Sequence, residues 1–205
     1  MIPMLPPAYF GPIWYFRHTI FHERVIVNGI EQFQKQTIRN RAEILGANGK
    51  IRLTVPLVKW STNVPVNEIR IDNTSNWKHV HWMSIQSAYR NSAFFEHFED
   101  QIRSFFSQEH DRLIDLNLSS TKFVVSLMKS ELVVTLVEDF QDVKDVRALN
   151  LSSEFVKKRP TQYLPKYTQV FSDRFDFVPD LSVLDLIFNL GPRASLYLQD
   201  LQKNG

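Results

Sequence analysis

Cysteine is absent from the 205 residues, which excludes disulfides, thiolate metal sites and a cysteine nucleophile and fits a reducing compartment. Glycine is scarce, 6 residues against 16 phenylalanines, so the composition favours an aromatic core over glycine-hinged loops. Charge of one sign is lacking too. The 24 basic residues are nearly matched by 22 acidic ones, leaving no global field for nucleic acid or an anionic membrane. No uninterrupted apolar run reaches the roughly 18 residues that read as a transmembrane helix. The opening Met1 to Pro7 is apolar but uncharged, short and proline-rich, unlike a secretory signal. The expectation is a soluble, cytoplasmic protein with no membrane insertion and no nucleic-acid partner, its length fitting a single domain over 1–205.

Catalytic signatures are missing as well. Neither common glycine-rich phosphate loop occurs, nor His-Glu-x-x-His, nor Gly-x-Ser-x-Gly. His79 and His81 would diverge by about 200° on a helix, so no metal site is expected, and no motif names a cofactor.

What is present is a concentration of hydrogen-bonding groups from Glu31 to Arg41. It holds Gln34, Gln36, Arg39, Asn40 and Arg41 and follows the β-branched run Val25-Ile26-Val27. Strand ends in open α/β sheets are where ligands usually sit, and a planar guanidinium can grip a carboxylate or phosphate through two parallel bonds. If 38–41 is extended, Arg39 and Arg41 point to one side and form a clamp; if it is helical they diverge. The alternative is a pair of arginines ion-paired with Glu31 and Glu43, with Asn40 satisfying buried backbone groups.

Periodicity gives the remaining elements. Residues 1–10, with three prolines, read as an extended entry segment. Residues 13–21 read as a short helix whose consecutive Trp14, Tyr15 and Phe16 cannot all face one core, and Arg24 to Ile30 as a buried strand. Asn48-Gly49 marks a turn. Lys50 to Leu57 and Asn67 to Asp72 alternate as half-buried strands. Helices are expected over 77–92, 94–106 and 110–128. The nearly continuous run Glu131 to Val137 reads as a strand buried on both faces. No structure is assigned to 138–170. Ser182 with Asp185 resembles a capping box opening a helix that ends at Gly191-Pro192, and a last helix spans 193–202.

Several of these stretches fall into a family pattern. They are Tyr9-Phe10-Gly11-Pro12 with Tyr15-Phe16, Glu31, Gln34-Lys35-Gln36-Thr37, Arg39-Asn40-Arg41, Asn48-Gly49, Pro56, His81-Trp82, Ser87-Ala88-Tyr89 and Asn91 to Phe95, then Pro165 to Phe171 and Leu181 to Gly191. Over roughly 8–195 the chain resembles the WbqC-like protein family, in the short form of Bacteroidetes-type bacteria. Longer members open with Gln-Pro-x-Tyr-Phe-Pro; here the Gln is missing. The resemblance implies an α/β fold with a central mixed or parallel sheet flanked by helices, similar at its opening to nucleotidylyl-transferase-like domains. Some members are associated with clusters for O-antigen and other surface polysaccharides. This implies a transferase of bacterial polysaccharide biosynthesis acting on an amino sugar or sugar nucleotide. The alternative is a non-catalytic binding or scaffold protein of such a pathway.

On that implication Arg39 and Arg41 hold an anionic substrate while Gln34, Gln36 and Asn40 orient it. His81, on one helical face with Tyr89 and Ser92, is the candidate general base. Tyr9 could stack on a sugar ring or belong to the core. Asp185 and Asn189, one turn apart, line the cleft or serve their own helix ends.

Overall fold

The computed structural model describes residues 1–60, 63–143, 147–155 and 164–203. Four parallel strands form its central sheet: β1 (Ile2–Leu5), β2 (Arg24–Asn28), β5 (Val133–Val137) and β6 (Ala148–Asn150). Their spatial order is β5-β2-β1-β6. The first three strands run outward in one direction and the fourth lies on the other side of β1. This is the start of a doubly wound order, with its switch point between β1 and β6.

The proline-rich opening is therefore an interior strand and not only an entry segment. Proline is tolerated there for a geometric reason. The Ile2 N–H donates to the Arg147 carbonyl at 3.0 Å and the Leu151 N–H to the Met4 carbonyl at 2.8 Å, so these residues bond toward β6. The N–H that Pro3 lacks would face β2, whose pairing begins only at Met4 opposite Ile26. The three-residue β6 comes from the stretch 138–170, to which periodicity assigned nothing. β5 was expected to be buried on both faces, yet it lies at the sheet edge and Val133 is 52% exposed. Its apolar run is real, but only one side has a neighbouring strand.

A second sheet is the hairpin of β3 (Arg41–Gly46) and β4 (Gly49–Thr54), antiparallel with Gly46 opposite Gly49. Its two-residue turn, Ala47-Asn48, needs the positive φ of +109° that Gly49 supplies. β4 ends before Pro56. The alternation at 67–72 is not a strand. Val66–Glu68 is a 3-10 turn, Val66 and Ile69 are both buried, and only single bridges at Arg70 and Ile71 remain. Pro65 sets that turn, and Ile69 and Ile71 are buried without a strand ladder between them.

Among the described residues six helices surround these sheets: α1 (Ile13–Arg17), α2 (Trp77–Tyr89), α3 (Phe95–Phe106), α4 (Leu113–Leu127), α5 (Val183–Leu190) and α6 (Arg193–Lys203). The stripe on α3, Phe95, Phe98, Ile102, Phe105 and Phe106, is buried throughout, each side chain contributing about 1.5–3 kcal/mol. α2 stops at Tyr89, so Ser92 lies outside it. Ser182 caps α5 as expected, its Oγ accepting from the Leu184 N–H at 3.4 Å. Gly191 ends α5 at φ +54°, and a Cβ there would come within 2.4 Å of Phe94. Among the described residues no helix is long and apolar enough to cross a membrane.

Candidate functional site

The loop after β1 and the segment before α5 are sewn together by backbone bonds. Pro12 bridges Ser182. Ile13 N–H donates to the Leu181 carbonyl and Val183 N–H to the Gly11 carbonyl, while Ser182 N–H reaches the Glu43 carbonyl at 2.7 Å. Ser182 Oγ donates to the Phe10 carbonyl at 2.8 Å. These bonds set the start of β3 against both loops, leaving between them a cleft of about 330 Å³.

Its charged and polar lining is Gln36, Thr37, Arg41, Glu43, Arg52, Asp180 and Ser182. Arg52 Nε lies 3.1 Å from Glu43 Oε1, and Lys50 Nζ 3.3 Å from Oε2. Burial pushes the Glu43 carboxyl up, but Arg52 and Lys50 outweigh it and hold it below its ordinary value. Arg41 Nε is buried with no hydrogen-bond partner among the described residues. Asp180 Oδ1 accepts from the Trp14 N–H at 2.9 Å. Three lining residues, Phe10 (φ 41°), Gln36 (φ 61°) and Asp180 (φ 55°), hold left-handed backbone although none is glycine. Each costs about 1 kcal/mol, and such residues cluster at ligand sites.

Arg39 is not in the cleft but beneath it. Its side chain is fully buried, with Nε and Nη2 both 2.6 Å from Glu31 Oε1. Nη1 donates to Thr37 Oγ1 at 3.2 Å, and Thr37 Oγ1 donates to the Gln34 carbonyl at 2.8 Å. The segment 37–40 is a turn, neither extended nor helical, so Arg39 and Arg41 part company. Arg39 holds the floor, and Arg41 reaches the cleft. Asn40 is buried and donates to the Val55 carbonyl at 3.3 Å. Gln34 is exposed outside the cleft lining.

The other expected site residues gather elsewhere. His81 is 4% exposed, and its Nδ1 is 2.8 Å from the Tyr9 hydroxyl. Burial lowers its pKa to about 4, so the ring is neutral at pH 7. Tyr9 is wholly buried with it. Asp185 sits 1% exposed on α5, its Oδ2 accepting from the Tyr167 hydroxyl at 2.5 Å and from Gln169 Nε2 at 3.0 Å. Burial raises its pKa although Tyr167 and Gln169 offer it hydrogen bonds, and its Oδ1 is buried without a hydrogen-bond partner among the described residues. Tyr89 is buried beside it. Asn189 donates to the Asp185 carbonyl at 2.8 Å, and Ser92 to the Tyr89 carbonyl at 2.7 Å. Sequence reading missed Arg52, Asp180 and Ser182. Asp180 carried a usable signal, an acidic residue two positions before a helix cap.

Among the described residues no group of three or more His, Asp or Glu side chains is arranged to hold a metal ion. The model of the WbqC-like protein family matches residues 7–162. The chain belongs to that family. The match to WbqC-like proteins takes in the cleft residues from Phe10 to Arg52, while Asp180 and Ser182 lie beyond it. The chain is also 26% identical over 215 residues to the uncharacterized protein Rv1507c of Mycobacterium tuberculosis, covering 90% of this chain and 91% of that one. No solved structure matches this member of the WbqC-like family.

Proposed function

We propose that the chain is a group-transfer enzyme of bacterial cell-surface polysaccharide biosynthesis. Its cleft would hold an anionic, hydroxyl-bearing substrate such as a sugar nucleotide or an amino-sugar phosphate. The observation that carries this reading is the convergence of Arg41 and Arg52 with Glu43 and Asp180 on one cleft. Two guanidinium groups suit a phosphate or carboxylate, and the carboxylates suit hydroxyl or amino groups on the same molecule. The unpartnered Nε of Arg41 leaves a donor for the anion. The left-handed residues around the rim support the same reading, because such strain is retained where the surroundings enforce it. The association of some family members with O-antigen clusters supports placing the reaction in such a pathway.

In this reading the anion clamp is Arg41 with Arg52, Gln36 orients the ligand, and Arg39 positions Thr37 from below. His81, buried and bonded through Nδ1 to the Tyr9 hydroxyl, braces Tyr9 and serves no ligand. A thermal-unfolding panel of sugar nucleotides, amino-sugar phosphates and simple anions tests it. A ligand at about 100 times its Kd adds roughly 2.7 kcal/mol, a shift that Arg41→Ala removes. A shift that survives Arg41→Ala removes the clamp from the account.

A second reading, a non-catalytic partner of a glycan enzyme, draws on Val80 and Met83. These apolar side chains are 58% and 45% exposed and three residues apart on α2. Retained pathway output in an Arg41→Ala, Arg52→Ala variant would favour it.

A further inference from the structure

The outer edge of the hairpin is not used by the cleft. Among the described residues β4 pairs with β3 alone, in a register that sets Leu53 opposite Ala42, Arg52 opposite Glu43 and Ile51 opposite Ile44. The Val55 N–H donates to the Asn40 carbonyl at 2.9 Å, which fixes the alternation. Ladder bonds toward β3 fall at Leu53 and Ile51, and the N–H and C=O of Lys50 and Arg52 point the other way. Among the described residues no backbone bond from outside the hairpin reaches Lys50 or Arg52. Beside this edge a groove of about 440 Å³ runs between β4 and α2, its apolar lining Ile51, Leu53, Pro56, Trp77 and Val80. Val80 is 58% exposed. Among the described lining residues Arg52 alone is charged, His81 being neutral at pH 7, and none is a carboxylate.

We propose that this edge receives an extended segment of a partner protein in which acidic and apolar residues alternate, added to β4 as a third strand of the hairpin sheet. The N–H and C=O groups of a strand edge are matched at their own spacing by another strand. Side chains alternate between the two faces along both strands, so the pattern of the guest follows from that of β4. Guest residues opposite Lys50 and Arg52 share their face. There the two cations have one carboxylate between them, Glu43, at 3.3 and 3.1 Å, and an acidic guest side chain balances the surplus. Guest residues opposite Ile51 and Leu53 lie on the other face, where apolar side chains meet Trp77 and Val80 across the groove. The same charges reject a second copy of this chain, because β4 paired with itself sets cation against cation. Lys50 and Arg52 therefore keep an open edge from indiscriminate pairing while they select an acidic guest. The docking edge does not depend on what the cleft binds. The two sites meet at Arg52, which lines both; Val80 and Lys50 lie outside the cleft lining and address the edge alone.

The test uses the whole folded chain and a fluorescein-labelled peptide of alternating Glu and Val, beside a peptide of the same composition with its Glu and Val grouped in blocks. Fluorescence anisotropy should show saturable binding of the alternating peptide, about tenfold tighter than the block peptide or more. Amide exchange read by NMR should slow by about tenfold or more at Lys50 and Arg52 when the alternating peptide is added, while Ile51 and Leu53, already bonded to β3, change little. Val80→Asp puts a charge in the groove and should weaken the peptide by about tenfold at an unchanged unfolding midpoint. Lys50→Glu should turn the preference toward a peptide of alternating Lys and Val. No binding of the alternating peptide, equal binding of the block peptide, or binding that leaves the Lys50 and Arg52 amides unprotected overturns the docking edge. Each of these results leaves the cleft untouched, because ligand shifts in Arg41→Ala report that site separately.

Discussion

The Tyr9 hydroxyl lies 2.8 Å from His81 Nδ1 across a sequence separation of 72 residues, tying the loop after the central strand β1 to helix α2. The pair makes His81 a pH-dependent brace. Its folded pKa of about 4 lies below the unfolded value of about 6.5, so the unfolded chain binds more protons between those limits. The contribution is complete above pH 6.5 and is lost as pH falls toward 4, amounting to about 3 kcal/mol. Urea unfolding at pH 7.5 and 4.5 should show that loss in the wild type and a smaller one in His81→Asn.

Asp185 has the opposite sign. Its folded pKa is raised by burial, so its contribution is complete below about pH 4 and is lost as pH rises through the folded value. Asp185→Asn keeps an acceptor for Tyr167 and discards the charge. The difference in stability between Asp185→Asn and wild type should move in favour of the variant as pH rises from 4 to 8, as read by urea midpoints at each pH.

Arg39 and Arg41, two residues apart, should fail in different ways. Arg39→Ala leaves Glu31 without its buried partner and should cost about 3–5 kcal/mol. Arg41→Ala should leave the denaturation midpoint nearly unchanged and abolish ligand-induced stabilisation. Midpoints measured with and without ligand separate the two.

Gln36 should trade stability against binding. Gln36→Gly relieves a left-handed residue and should stabilise the chain by about 1 kcal/mol while weakening the ligand, because the amide leaves the cleft rim. Thermal unfolding in the presence and absence of ligand reads both effects.

The helices were legible because their apolar residues recur at helical spacing over several turns, as Phe95, Phe98, Ile102 and Phe105 do on α3. The strands were less so. β1 was hidden by Pro3, tolerable only because its ring faces a strand not yet paired. β3 was hidden because Arg41 and Glu43 alternate with Ala42 inside a stretch dense in polar groups. β6 has only three residues, too few for a period. The cleft was half visible for a related reason. Gln36 and Arg41 stood in the polar stretch, but Arg52, Asp180 and Ser182 reach them through hairpin pairing and long-range backbone bonds that no local pattern encodes. His81 and Asp185 have the residue types of catalysis, but burial sets them apart from the cleft, and only the tertiary structure supplies that information.

The measurement that tests the central claim most directly is calorimetric titration of the strongest ligand from the unfolding panel into wild type, Arg41→Ala and the Arg41→Ala, Arg52→Ala double variant. A guanidinium bond to an anion contributes about 1.5–3 kcal/mol, so each loss should weaken binding by roughly tenfold or more, with the fold intact by unfolding midpoint. Equal affinity in all three proteins would contradict the account and move the ligand out of the cleft between β3 and α5.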